Sequence, residues 1–179
     1  IEDYSHSSID FSYVKIKRRI AVGGRSTVYL GKYKENDVII KVLRPPEITP
    51  DIIRHWHREI SICMRNNHEN IVKAYGVVIV PPRVMLVFEY CKRSLTEYLE
   101  LVEIKITFGL SLMLDIISGV EYLHRQHIIH RDLKIDNIIM CHCGCLVAKL
   151  IDFGESRVQT AGPMTIIGTP YYMAPEILN

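Results

Sequence analysis

The sequence predicts an α+β fold in two lobes: a five-stranded antiparallel N-lobe with one helix, then an incomplete, mainly helical C-lobe. Three observations predict it. Short runs rich in β-branched and aromatic residues recur between Tyr13 and Phe88. One stretch of helical periodicity, 50–65, interrupts them. After Tyr90 the period becomes helical, most clearly over 107–125. A crevice between two such lobes is where a ligand is expected.

The elements follow in order. Residues 1–12, IEDYSHSSIDFS, are polar and Ser-rich and read as an N-terminal leader; 13–90 form the N-lobe and 91–179 the partial C-lobe. Val14 and Ile16 alternate with Lys15 and Lys17, and the Lys15–Arg19 run reads as a solvated strand face. Thr27–Leu30 and Val38–Val42 are further strands, with Gly23-Gly24 and Glu35-Asn36-Asp37 as turns. Thr49 caps a helix that begins at Pro50 and runs to about Arg65, with Ile52, Ile53, Trp56, Ile60 and Cys63 as its apolar face. Two strands, 72–80 and 84–88, flank the turn Pro81-Pro82. Ser94 caps a short helix ending at Leu101. The helix 107–125 is apolar on most sides, which predicts a buried central helix.

Composition excludes several classes. The 179 residues are 48% hydrophobic and 23% charged, which is neither disordered nor fibrous. A net charge of +2 demands no nucleic-acid partner and no membrane. The most apolar stretch, 106–120, is interrupted by Asp115 and too short to span a bilayer. Five cysteines in a chain of this size predict reduced thiols and a cytoplasmic location.

The chemistry is concentrated late in the chain. His130-Arg131-Asp132-Leu133-Lys134-Ile135-Asp136-Asn137 is followed by Asp152-Phe153-Gly154, then by the run from Gly168-Thr169-Pro170 to Ala174-Pro175-Glu176. Three motifs in this order resemble the eukaryotic protein kinase family, over roughly Tyr13 to the end. The resemblance implies a protein-kinase-like two-lobe fold that uses ATP and Mg²⁺. Phosphoryl transfer needs a fixed triphosphate, neutralised charge and an aimed acceptor hydroxyl. By resemblance, Asp132 orients that hydroxyl and takes its proton, and Lys134 stabilises the transferred group. The resemblance likewise assigns the metal to Asn137 and Asp152, hard oxygen donors suited to a hard cation. Lys41, in Val38-Ile39-Ile40-Lys41, resembles the phosphate-binding lysine, with Glu59 as its partner.

The loop over the phosphates departs from the family pattern. Aligned on Val28, the sequence reads Ala21-Val22-Gly23-Gly24-Arg25-Ser26-Thr27-Val28, so one of three glycines is kept. Ile39 stands where the family usually has Ala over the adenine, with Val28 sharing that ceiling and Ile139 forming the floor. Weaker or more selective nucleotide binding is therefore expected. Phe88 is expected at the back of the pocket, and Glu89 and Cys91 offer backbone hydrogen bonds to adenine; Cys91 is read as packed and inert.

Lys134 and Gly168-Thr169-Pro170 are similar to serine/threonine kinases, and the connector Val87–Cys91 to their tyrosine-kinase-like branch. Thr169 is expected to bond near Asp132 and Lys134. The resemblance also implies a switch. Arg131 and Arg157 would gather a phosphate placed on Thr165, or on Thr160, by an upstream activating kinase. A thin apolar stack of Cys63, Ala74, His130 and Phe153 would couple the first helix to the catalytic loop.

The chain ends shortly after Glu176, where the family has further helices, so an exposed apolar face and poor activity of the isolated segment are expected. The implied partners are ATP and a protein substrate with a Ser or Thr acceptor. Two other readings compete: a kinase-like scaffold that binds nucleotide weakly, supported by Ala21, Ser26 and Ile39, and a metal-binding regulator built on Cys141–Cys145. The crowding of those ligands into one turn argues against zinc.

Overall fold

The β-branched runs form strands in the computed structural model, which describes residues 7–24, 26–43, 49–103, 105–158 and 168–178, leaving aside the side chains of Cys143, Glu176 and Leu178. The chain divides into two units, one of residues 1–65 and 73–90, the other of 66–72 and 91–179.

The first unit is an antiparallel sheet of β1 (Val14–Val22), β2 (Ser26–Tyr33), β3 (Asn36–Leu43), β4 (Ala74–Val80) and β5 (Arg83–Glu89), with one helix, α1 (Pro50–Arg65). Strand order is β1-β2-β3-β5-β4. β3 and β5 occupy the interior, and their burial follows: Val38, Ile40, Leu86 and Val87 are fully enclosed. β1 is an edge strand, exposed from Lys15 to Val22, with Lys17 paired to Asp37 at 2.8 Å. Thr49 Oγ1 accepts from the Ile52 amide at 3.3 Å, which caps α1 where Pro50 starts it. The buried face of α1 is Trp56, Glu59, Ile60, Ile62 and Cys63. Ile53, expected on that face, is instead 53% exposed.

The leader is more than a polar tail at its end. Ser8 bridges Val77 on the outer edge of β4, the Ile9 amide donates to Val77 O at 2.8 Å, and Ile9 is buried with Val14, Val38, Ile40, Val78, Met85 and Val87. One apolar residue in a polar stretch carries no period, so sequence pattern passes over it.

The second unit contains β6 (Arg93–Ser94), α2 (Leu95–Leu101), α3 (Ile106–Arg125), β7 (Ile128–Ile129), β8 (Ile138–Cys143), β9 (Cys145–Leu150), β10 (Arg157–Val158) and α4 (Pro175–Leu178). Ser94 and Glu97 form a reciprocal capping box that starts α2. β6, β8 and β9 make one small sheet, β7 and β10 another.

α3 meets this sheet through a polar tie and a close approach. Asp115 Oδ2 accepts from the Ala148 amide at 2.9 Å. A Cβ on Gly119 would lie 2.8 Å from Asn70 O and 3.1 Å from Leu150 Cδ1, so only glycine lets the helix sit this near. Asn70, itself buried, joins β9 by donating to Ala148 O and accepting from the Leu150 amide. The expectation of a buried central helix is not met, whereas the exposed apolar face, also expected, is present. Ile106, Leu110, Met113, Leu114 and Ile117 are all more than half exposed, and Gly119 and Leu123 are the buried residues of α3. The 106–120 stretch, expected to be too short for a bilayer, lies within a helix that runs on to Arg125. α3 has 20 residues and an 18-residue window of mean hydropathy 1.5, so it is long and apolar enough to cross a membrane by length and composition alone. Asp115 and Gly119 nonetheless hold one face of it against β9.

The thiol expectation is also overturned. Cys91 and Cys141 are joined in a disulfide, with Cα atoms 4.7 Å apart, while Cys145 is an exposed free thiol.

Candidate active site

The 3-10 turn Ile135–Asn137 and the loop before it bring four polar side chains of the second unit together. Thr169 Oγ1 donates to Asp132 Oδ1 at 2.7 Å and accepts from Lys134 Nζ at 2.9 Å. Lys134 Nζ lies 2.8 Å from Asp132 Oδ2. Asn137 Nδ2 donates to both the Asp132 carbonyl, at 2.8 Å, and Asp132 Oδ2, at 2.9 Å. Burial alone would raise the Asp132 carboxyl; the bonds from Lys134, Thr169 and Asn137 and the Lys134 charge outweigh it and hold it below its usual range. Lys134 is raised, first by its bond to Asp132, against a smaller desolvation effect. Asp132 is therefore an anion and Lys134 a cation at neutral pH.

Gly168 makes the Thr169 contact possible. Its φ is +133°, and a Cβ there would lie 2.5 Å from Arg131 O. Both facts demand glycine beside the threonine.

The backbone beneath is fixed by His130. This buried ring bonds Ile151 O through Nε2 at 2.9 Å and accepts from the Asp132 amide through Nδ1 at 3.4 Å. A carbonyl can only accept, so Nε2 carries the proton and the ring is neutral. Burial lowers its pKa, ahead of the opposing bond to Ile151. The ring also packs on Phe153, centroids 5.4 Å apart, and Ser156 Oγ donates to His130 O at 3.1 Å. Sequence reading missed Ser156 as a support; a serine three residues after Phe153 gives no signal until the loop is folded. Asp152, just before Phe153, has a left-handed backbone (φ 62°) and an exposed side chain. Arg131 is also left-handed, and its Nε donates to Glu155 O at 2.6 Å. Arg157 pairs with Ile129 in the β10–β7 ladder.

In the first unit, Lys41 on β3 and Glu59 on α1 form an ion pair, Nζ to Oε1 2.6 Å, with side chains 15% and 4% exposed. Ala21 pairs with Val28 and Val22 with Thr27 across the β1–β2 hairpin, which Gly23 closes by donating to Ser26 O at 2.8 Å. Gly23 and Gly24 have no positive φ; a Cβ on Gly24 would meet nothing within 4 Å, so its contribution is open space. Ile39 is half-buried and pairs with Leu30 and Phe88. The Glu89 amide donates to Lys73 O at 2.9 Å, and its carboxylate accepts from the Lys73 amide at 2.7 Å. In the second unit, Ile139 lies on β8 opposite Ser94, and Cys91 is the disulfide partner of Cys141. The disulfide also withdraws Cys141 from the zinc reading. Thr160 and Thr165 lie outside the described residues.

The donor set fits a hard cation. With both amide hydrogens of Asn137 directed at Asp132, Oδ1 is the atom it has for a metal, and Asp152 adds a carboxylate.

Comparison with known proteins agrees with this geometry. Residues 14–179 match the family described as "Protein kinase domain". Serine/threonine-protein kinase STY17 of Arabidopsis thaliana is 35% identical over 96% of this chain, and the RGS domain-containing serine/threonine-protein kinase A of Dictyostelium discoideum 39% over 97%. Serine/threonine-protein kinase CTR1 of Arabidopsis thaliana is 32% identical over 99%. The chain spans only 30%, 16% and 22% of these relatives' own lengths. With its family match over nearly its whole length and its similarity to serine/threonine kinases, this chain belongs to the eukaryotic protein kinase family.

Proposed function

We propose that this chain is the catalytic portion of an ATP-dependent serine/threonine protein kinase. The observation that carries the reading is the closed set of bonds among Asp132, Lys134, Thr169 and Asn137. When bound, Mg²⁺–ATP supplies the phosphoryl group and the charge neutralisation. Asn137 and Asp152 would hold the metal, and Lys41, kept in place by Glu59, would bind the α- and β-phosphates. Ala21, Val22, Gly23, Gly24 and Ser26 would cover the phosphates, with Val28, Ile39, Glu89, Cys91 and Ile139 around the adenine.

Asp132 is ionised and carries hydrogen-bond acceptors, so it can align a serine or threonine hydroxyl and receive its proton. Lys134, a cation in contact with that carboxylate, balances charge as it builds on the transferred group. Thr169 fixes the two relative to each other. A kinase-like scaffold would not need this set, and the complete set disfavours that alternative.

Regulation by a phosphate on Thr165, gathered by Arg131 and Arg157, and the tyrosine-kinase-like assignment belong to the same proposal, as does location in the cytoplasm, where ATP and kinase substrates are found. Phosphate transfer by the full-length protein to a Ser/Thr peptide, with Asp132→Asn as control, tests the activity. Transfer that the control lacks supports the reading; transfer equal in both overturns it.

A further inference from the structure

The Cys91–Cys141 bond sits among residues assigned above to the nucleotide. Cys91 opens the second unit and leads into β6, whose Arg93 and Ser94 pair with Met140 and Ile139 of β8. The bond thus fastens the connector to the strand that carries Ile139, two residues before Cys141. Fifty residues separate the cysteines, yet the ladder brings their Cα atoms to 4.7 Å, within reach of a disulfide. Their environments differ. Cys141 is 1% exposed, whereas Cys91 is half-buried and followed by exposed Lys92 and Arg93. The more accessible sulfur, Cys91, is the one an oxidant reaches first.

We propose that Cys91 and Cys141 are a reversible redox switch that sets nucleotide affinity, with a peroxide as oxidant and a dithiol as reductant. The Cys91 sulfur attacks hydrogen peroxide, breaking the O–O bond to give a sulfenic acid and water. The Cys141 thiol then attacks that sulfur and a second water leaves. Two thiols have lost two electrons and two protons, and the peroxide has been reduced to water. A dithiol reverses the bond by exchange and itself becomes a cyclic disulfide. In the oxidised state the connector and β8 are joined before nucleotide arrives, so binding orders less of the chain and is tighter.

This switch rests on the kinase reading, and the test separates the two. The full-length protein is treated with hydrogen peroxide or dithiothreitol; disulfides are mapped by peptide mass, and Mg²⁺–ATP affinity is measured in each state. The expected result is a Cys91–Cys141 peptide pair that dithiothreitol removes. Affinity should be about three- to tenfold tighter when oxidised, a difference that Cys91→Ser abolishes and Cys145→Ser retains. Because Cys91 is half-buried, Cys91→Ser is expected to fold, and a cooperative melt of that variant confirms it. A different pairing, such as Cys141 with Cys145, overturns the proposal. Equal affinity in the two states overturns the switch but leaves the kinase reading intact. Absence of nucleotide binding in both states, with a cooperative melt, overturns both.

Discussion

Thr169 donates to Asp132 at 2.7 Å although the two residues lie 37 positions apart, and it accepts from Lys134 in the same geometry. One hydroxyl is therefore donor to an anion and acceptor from a cation. Removing it leaves both charges without their common partner. In the full-length protein, Thr169→Val should lower kcat by roughly 10- to 150-fold, the equivalent of about 1.5–3 kcal/mol for a bond to a charged group. Thr169→Ser keeps the hydroxyl and should recover most of the rate. Steady-state kinetics on a Ser/Thr peptide reads the difference, and a valine variant as active as wild type would remove Thr169 from the mechanism.

The Lys41–Glu59 pair separates stability from function. Glu59 is almost fully enclosed, so Lys41→Met leaves a carboxylate buried without its lysine. The expected cost is about 3 kcal/mol, with loss of phosphate transfer. Replacing both residues by methionine removes the orphaned charge and should restore most of the stability while transfer stays absent. Denaturant melts and activity assays on the single and double variants check this. A double variant no more stable than Lys41→Met would show that the cost is packing.

His130 gives the fold a pH dependence of known sign. Its folded pKa is lowered, chiefly by burial, so below pH 6.5 the unfolded chain binds the proton first. Stability contributed by the neutral ring is complete above the unfolded value and falls as pH drops below it, by at most about 1.4 kcal/mol per pH unit. Asp132 adds a second loss at lower pH. Its folded pKa lies below 3.8, so its contribution is present above that value and disappears as pH falls through the folded one. Unfolding free energy measured between pH 7.5 and 5 should slope downward in wild type and flatten in His130→Phe.

Ile39 tests the departure from the usual alanine. It is half-buried on β3 between Leu30 and Phe88. If its bulk crowds the base, Ile39→Ala should bind Mg²⁺–ATP more tightly, by calorimetry or thermal shift. Unchanged or weaker binding would discard the crowding argument.

Local signals account for most of what the sequence disclosed. Thr49-Pro50 and the Ser94–Glu97 box are short-range chemistry, and both caps form where the residues say. The positions of Asp132, Lys134 and Asn137 were legible because one short motif carries them all. Other features depend on contacts across the chain. Periodicity marks α3 as apolar but does not say what covers it, and much of its face is open. Ile9 is buried by a single bridge to β4. The partner of Cys91 is set by the β6–β8 register, which spacing does not encode. Ser156 bonds His130 O only because the loop after Phe153 turns back.

Gly119 offers a test in which propensity and packing predict opposite signs. In an exposed helix interior, Gly→Ala gains about 1 kcal/mol from reduced backbone entropy. At position 119 the added methyl would stand 2.8 Å from Asn70 O and 3.1 Å from Leu150 Cδ1, so either α3 or the Asn70 backbone must move. Asn70 is held at both ends by Ala148 and Leu150, which leaves little room to yield. Overpacking of this kind costs about 1–3 kcal/mol. Gly119→Ala should therefore be net destabilising in a urea melt, while Ser111→Ala, on an exposed position of the same helix, should be neutral or slightly stabilising. A stabilised Gly119→Ala would mean that α3 sits farther from β9 than this packing requires.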